Sequence, residues 1–215
     1  MDARVERLIS EATATPARRW ALAAGGVVVI AGVAIATGLV LGAEGPAVQA
    51  GGDDTYATAP GCDHVDPEAV ESLLDGAELE TAEHGRLDGA DSATCVWTSV
   101  AAGDAAPRFL HVDLTAYYTD RSGEPSGSQA AAGQLEGLSP VADLEGAAPV
   151  PALGGGALVW PGDSGGTGAE VAFRRDNLVV RLAYGGDEGT GGTPLSYEDA
   201  RDGAVALGEQ VADSL

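Results

Sequence analysis

The pattern of apolar and polar positions changes character several times along the chain. From Ala21 to Leu41 no side chain is charged; the run holds only Ala, Gly, Val, Ile and Leu besides Thr37. A helix of that length is about 31 Å long, which matches a hydrocarbon core of about 30 Å and predicts one transmembrane helix over 21–42. Residues 43–60 show no apolar period and carry Gly45-Pro46, Gly51-Gly52-Asp53-Asp54 and Ala59-Pro60, the composition of a flexible linker. Beyond them the period alternates between helical and extended. Asp66-Pro67-Glu68 opens a short helix with a cap and a first-turn proline; Val70, Leu73 and Leu74 form its stripe and Gly76 ends it. Strands follow over 94–100 and 108–119, the second with Leu110, Val112, Leu114, Ala116 and Tyr118 on its core face. Residues 120–155 are mostly Gly, Ala, Ser and Pro, with a short helix at 128–135 and then a brief strand at 156–160.

The clearest local signal is a hairpin from Ala169 to Tyr184. With Asp176-Asn177 as its turn, both tolerant of positive φ, Phe173 faces Val180 and Val171 faces Leu182, while Glu170, Arg174 and Arg181 share the other face. After a glycine-rich stretch, Ser196 caps a long C-terminal helix reaching Ser214, with Asp199 at the capping-box position and Ala200, Ala204, Leu207 and Val211 along one side. This order predicts an α+β fold, an antiparallel sheet backed by helices, in one domain over 61–215.

Charge orients the chain. Arg4, Arg7, Arg18 and Arg19 precede the apolar run, with Trp20 at the interface, and no Lys or Arg follows until Arg86. Positive charge stays inside, so residues 1–20 form a cytoplasmic tail and the C-terminal domain lies outside a cell membrane crossed once. Two signals compete with this anchor: a cleavage site at Val48-Gln49-Ala50 and a twin-arginine pair at Arg18-Arg19. The run is longer than the apolar stretch of a signal peptide, and the arginine pair lacks the expected neighbours, so an uncleaved anchor fits better. Gly38 and Gly42 have the spacing that lets two membrane helices approach, which makes weak homodimerisation an option.

A net charge of −22, with 33 acidic residues against 11 basic ones in 215, excludes nucleic acid as a partner, because such binding rests on Lys and Arg releasing counterions. The only cysteines, Cys62 and Cys95, both fall on the outer side, where a disulfide is the expected state. Closing that loop removes denatured-state entropy worth about 3.8 kcal/mol.

Several groups of residues invite chemical readings. Gly162-Asp163-Ser164-Gly165-Gly166 is similar to the nucleophile segment of trypsin-like proteases, whose glycines let backbone N–H groups surround the serine. His84, in Thr81-Ala82-Glu83-His84, and Asp113, in Val112-Asp113-Leu114, complete the order His, Asp, Ser. The interval from Asp113 to Ser164 is too short and loop-rich for a second barrel, and Gly85 stands where a Cys normally follows the histidine. A catalytic triad is therefore not expected. His111 with Asp113 and His64 with Asp66 are the histidine–carboxylate pairs at close spacing; in so acidic a chain they arise by chance, and neither metal nor other cofactor is expected. Asp53-Asp54 and Asp187-Glu188 read as solvated loop acids. Arg174, Arg175 and Arg181 gather on the hairpin, where pairing with Glu170 and other carboxylates is the plainer account than an anion site.

Cys62 ahead of a short helix ending in Leu73-Leu74, Cys95-Val96-Trp97, Pro151-Ala152-Leu153-Gly154-Gly155 before a strand, and the run from Val171 to Val180 carry a resemblance. Together with the anchor and linker they resemble actinobacterial cell-surface proteins, mostly lipoproteins, of unknown function. Those proteins look like distant relatives of the extracellular sensor domain of mycobacterial serine/threonine kinase H. The resemblance covers about 61–213 and implies an antiparallel sheet backed by helices, a disulfide near its start, and binding or sensing outside the membrane without catalytic residues. This chain departs from it in lacking a lipidated cysteine and in having Gly154-Gly155-Gly156 where relatives usually place an acid after Leu-Gly. The expected function is thus a membrane-anchored, non-enzymatic binding or sensor-like domain whose partner is a small molecule, a cell-wall component or a protein. The alternatives are a serine hydrolase using His84, Asp113 and Ser164, and a structural cell-envelope protein.

Overall fold

Alternation with period two builds the centre of the molecule. The computed structural model describes residues 46–99, 106–144, 146–162, 168–186 and 195–215. Their strands are β1 (Glu78–Leu87), β2 (Ala90–Thr98), β3 (Arg108–Tyr117), β4 (Ala148–Pro149), β5 (Leu158–Pro161), β6 (Gly168–Arg175) and β7 (Leu178–Gly186). They form one sheet in the order β1-β2-β3-β7-β6-β5-β4, antiparallel at every pairing. Two meanders, β1 to β3 and β4 to β7, thus meet where β3 pairs with β7. Helix α1 (Pro67–Leu73), α2 (Gly127–Leu144) and α3 (Tyr197–Ser214) complete the α+β fold.

The sheet has two unlike faces. On one, Leu110, Val112 and Leu114 of β3, Val171 and Phe173 of β6, and Val180 and Leu182 of β7 are sealed beneath α1 and α3. Gly203 and Gly208 let α3 come close: a Cβ at Gly203 would stand 2.8 Å from Leu73 Cδ2, and one at Gly208 3.2 Å from Leu153 Cδ1. Tyr184 Oη and Arg108 Nη1 both donate to the carbonyl of Leu73, at 2.9 and 3.2 Å, satisfying the end of α1. On the other face α2 covers only part of the sheet, through Leu135 against Trp160 and Ala172. This helix carries the chain from β3 at the centre to β4 at the far edge.

The hairpin has the expected register, Phe173 opposite Val180 and Val171 opposite Leu182. Its turn differs in one respect, since Asp176 alone adopts positive φ, at 48°. Asn177 is instead drawn inward by its side chain. The α3 cap is as expected, with Ser196 Oγ accepting from Asp199 N at 3.1 Å.

Three expectations need correction. The helix placed at 128–135 runs on through Pro140 to Leu144, because docking on the sheet outweighs the weak helical propensity of Gly133, Gly137 and Pro140. Strand β1 lacks any sequence alternation because it is exposed on both faces; backbone pairing with β2 holds it. A bulge between Leu79 and Thr81, and Glu78, Glu80, Glu83 and Arg86 along the strand, guard that edge.

The third correction concerns the linker. From Pro46 on, the chain belongs to the folded unit, with Ala47 and Ala59 buried. Asp54 docks it: Oδ2 accepts from Gly51 N at 2.7 Å and Thr119 N at 2.9 Å, and Oδ1 accepts from Thr119 Oγ1 at 2.7 Å. Burial pushes the Asp54 carboxyl up, but these donors outweigh it and hold the group below its ordinary value. A depressed value in the folded state stabilises the fold above the unfolded carboxyl's pKa, and that stabilisation is lost as pH falls through the folded value. Asp54→Ala should therefore cost about 1–3 kcal/mol at pH 7. In urea titrations the gap from the parent should narrow at pH 3; an equal gap at both pH values would refute this role.

The predicted tail at 1–20 and membrane span at 21–42 lie outside the described residues, as does the Gly38–Gly42 pairing surface. Among the described residues no helix is long and apolar enough to cross a membrane.

Candidate functional site

Cys62 and Cys95 form the expected disulfide, with Cα atoms 5.7 Å apart. It ties the short 3-10 turn Cys62–His64 to β2. Nearby, Ala59 N donates to the buried Asp91 at 2.8 Å, and His84 Nε2 donates to the same carboxylate oxygen at 2.6 Å. The disulfide and the Asp91 hydrogen bond pin the segment before α1 to β2.

Strand register separates the members of the proposed triad. His84 pairs with Ala93, and Asp113 pairs with Thr94, the next residue on β2. Successive residues of a strand point to opposite faces, so His84 and Asp113 lie on opposite sides of the sheet and do not share a proton. His84 is engaged with Asp91 instead. Ser164, with Asp163, Gly165 and Gly166, lies outside the described residues; on either side of them Gly162 N donates to Gly168 O at 3.0 Å.

The face that α2 leaves open holds the richest polar array. A groove of about 350 Å³ runs between α2 and β2, β3 and β7. Its floor is Thr94, Asp113, Thr115, Tyr117, Val179 and Arg181; Gln134 and Leu138 of α2 form one wall, and Leu87 and Ser92 the opposite rim. Asp113 Oδ1 accepts from Thr94 Oγ1 at 2.7 Å and from His111 Nε2 at 3.2 Å, which leaves Oδ2 open. Arg181 stands directly across from Asp113 in the β3–β7 register, yet the two form no ion pair. Arg181 turns instead to the buried Glu170, donating from Nε at 2.8 Å and from Nη2, and lies over the Trp160 ring with 6.0 Å to its centroid. Burial raises the Tyr117 hydroxyl above its ordinary value, so it stays protonated at neutral pH.

Comparison with protein families, curated proteins and solved structures gives no match for this chain.

Other sequence candidates fall away from this groove. His64 Nδ1 meets Asp63 at 3.3 Å rather than Asp66, which caps α1 by accepting from Glu68 N. No cluster of three or more metal-binding side chains forms among the described residues. Arg174 donates to Ser128 Oγ on α2 and to Asp176 O, so the hairpin arginines are spent on local partners, as the pairing account expects. Asp187 and Glu188 lie outside the described residues. A second concavity of about 430 Å³, with Val159 and Val205 in its wall, lies between β4, the turn Pro151–Leu153 and α3. The Asp113–Arg181 juxtaposition escaped sequence reasoning because it depends on β3 pairing with β7, a contact 68 residues apart with no local signal.

Proposed function

We propose that this chain is a membrane-anchored binding module displayed outside the cell, without catalytic chemistry of its own. The observation that carries the reading is the open groove beside α2, where hydroxyl, amide, carboxylate and guanidinium groups converge on one floor. The disulfide supports placement in an oxidising compartment, and the arginine-flanked apolar run at 21–42 supports tethering with the C-terminus outside. The resemblance to actinobacterial cell-surface proteins points to the same role.

The test uses the full chain with an epitope after Leu215, produced in an actinobacterial host. Antibody should reach the epitope on intact spheroplasts. Labelling only after permeabilisation would overturn the placement and the role with it.

A further inference from the structure

The groove's balance of charge and hydrogen-bonding capacity specifies a ligand class, an inference that rests on the binding reading above. We infer that the groove between α2 and strands β2, β3 and β7 binds a neutral saccharide of one or two rings, bracketed by Asp113 and Arg181.

Anions are the first class to fail. Arg181 is the groove's cation, and two of its three guanidinium nitrogens already serve the buried Glu170. Its charge is thereby matched, and Nη1 remains as a hydrogen-bond donor rather than a free positive centre. Asp113 leaves the floor negative, and the whole chain at −22 repels phosphates and carboxylates further. A metal cation fares no better: Ca²⁺ takes about 6–8 oxygen ligands, whereas Asp113 offers one open carboxylate oxygen. A zwitterionic amino acid would satisfy Asp113 with its ammonium group but find no unmatched cation for its carboxylate.

A sugar hydroxyl both donates and accepts, and so do the side chains that dominate the floor. Asp113 Oδ2 accepts, Arg181 Nη1 donates, and the hydroxyls of Thr115 and Tyr117 and the amide of Gln134 do either. Asp113 and Arg181 face each other without joining, which leaves an acceptor and a donor to engage neighbouring hydroxyls of one ring. Leu138 and Val179 supply apolar surface for the C–H faces of a pyranose. The volume, about 350 Å³, falls at the small end of ligand pockets and fits a mono- or disaccharide.

The experiment is saturation-transfer NMR on the full chain in phosphocholine nanodiscs, which carry no sugar headgroup. The probes are glucose, N-acetylglucosamine, maltose and trehalose, with inorganic phosphate, glucuronate and arginine as the contrasting set. At least one neutral sugar should bind and the anions should not. Asp113→Asn and the gentler Tyr117→Phe should each weaken binding about tenfold, with melting temperature followed to show that both variants fold. Asp63→Asn, on the far side of the molecule, should leave affinity unchanged. Binding of arginine or an anion in place of sugars, lost in the same variants, would overturn the saccharide class while leaving the groove as a binding site. Absence of binding by every probe, or sugar binding indifferent to both groove variants, would overturn the inference at this site.

Discussion

Replacing Asn177 with Ala should lower unfolding free energy by about 3 kcal/mol or more, because it strands three buried or half-buried backbone groups at once. Asn177 is only 2% exposed. Its Oδ1 accepts from Tyr56 N at 2.9 Å, and its Nδ2 donates to Tyr56 O at 3.0 Å and to Tyr117 O at 2.8 Å. One amide therefore joins the β6–β7 turn, the end of β3 and the segment before α1. Alanine fits the backbone there, since φ at this position is not positive, so the loss comes from the amide and not from strain. Urea unfolding of Asn177→Ala beside Asn177→Asp separates the parts: Asp keeps the acceptor for Tyr56 N but loses both donations. A loss under 1 kcal/mol for Ala would show that the 46–60 segment docks by other means.

Removing the disulfide should have an effect of similar size. The bonded cysteines are 33 positions apart, and the chain-entropy relation gives about 3.8 kcal/mol for a loop of that length. That is a large share of the roughly 5–15 kcal/mol by which domains are stable. Cys95 is buried among Trp97 and Val112, whereas Cys62 is only partly so. A Cys62→Ala, Cys95→Val pair therefore fills the inner site with an apolar side chain and isolates the loss of the cross-link. Thermal unfolding of this variant should match that of reduced parent protein and fall well below oxidised parent. Equal melting of all three would mean that the staple constrains nothing in the denatured chain.

Both effects bear on how far the fold is written locally in the chain. Strand β3, the β6–β7 hairpin and α3 are legible because each buries a single face, which leaves a period of two or 3.6 in the sequence. Strand β1 buries neither face, so no period marks it. The far half of α2 is hidden by Gly133, Gly137 and Pro140, and its helical state comes from tertiary docking. The 46–60 segment is held by hydrogen bonds from Asp54, Tyr56 and Asn177, and polar groups so placed look identical in sequence to those of a solvated tether.

The groove shows the same division. His111, Asp113, Thr115 and Tyr117 are readable as the polar side of a strand, but their meeting with Arg181 requires the β3–β7 pairing. That pairing joins the two meanders and is a property of the whole sheet. The same register argument removes the hydrolase arrangement, since a shift of one position on β2 sends His84 and Asp113 to opposite faces.

Export of the domain into an oxidising compartment is the claim on which the rest of the account depends. Cells producing the full chain at native level should be quenched in acid and treated, under denaturing conditions, with a maleimide polymer that adds mass at each free thiol. The account predicts no added mass before reduction and two additions after it. Two additions without reduction would mean that Cys62 and Cys95 are free thiols in the cell, and would contradict an exported domain.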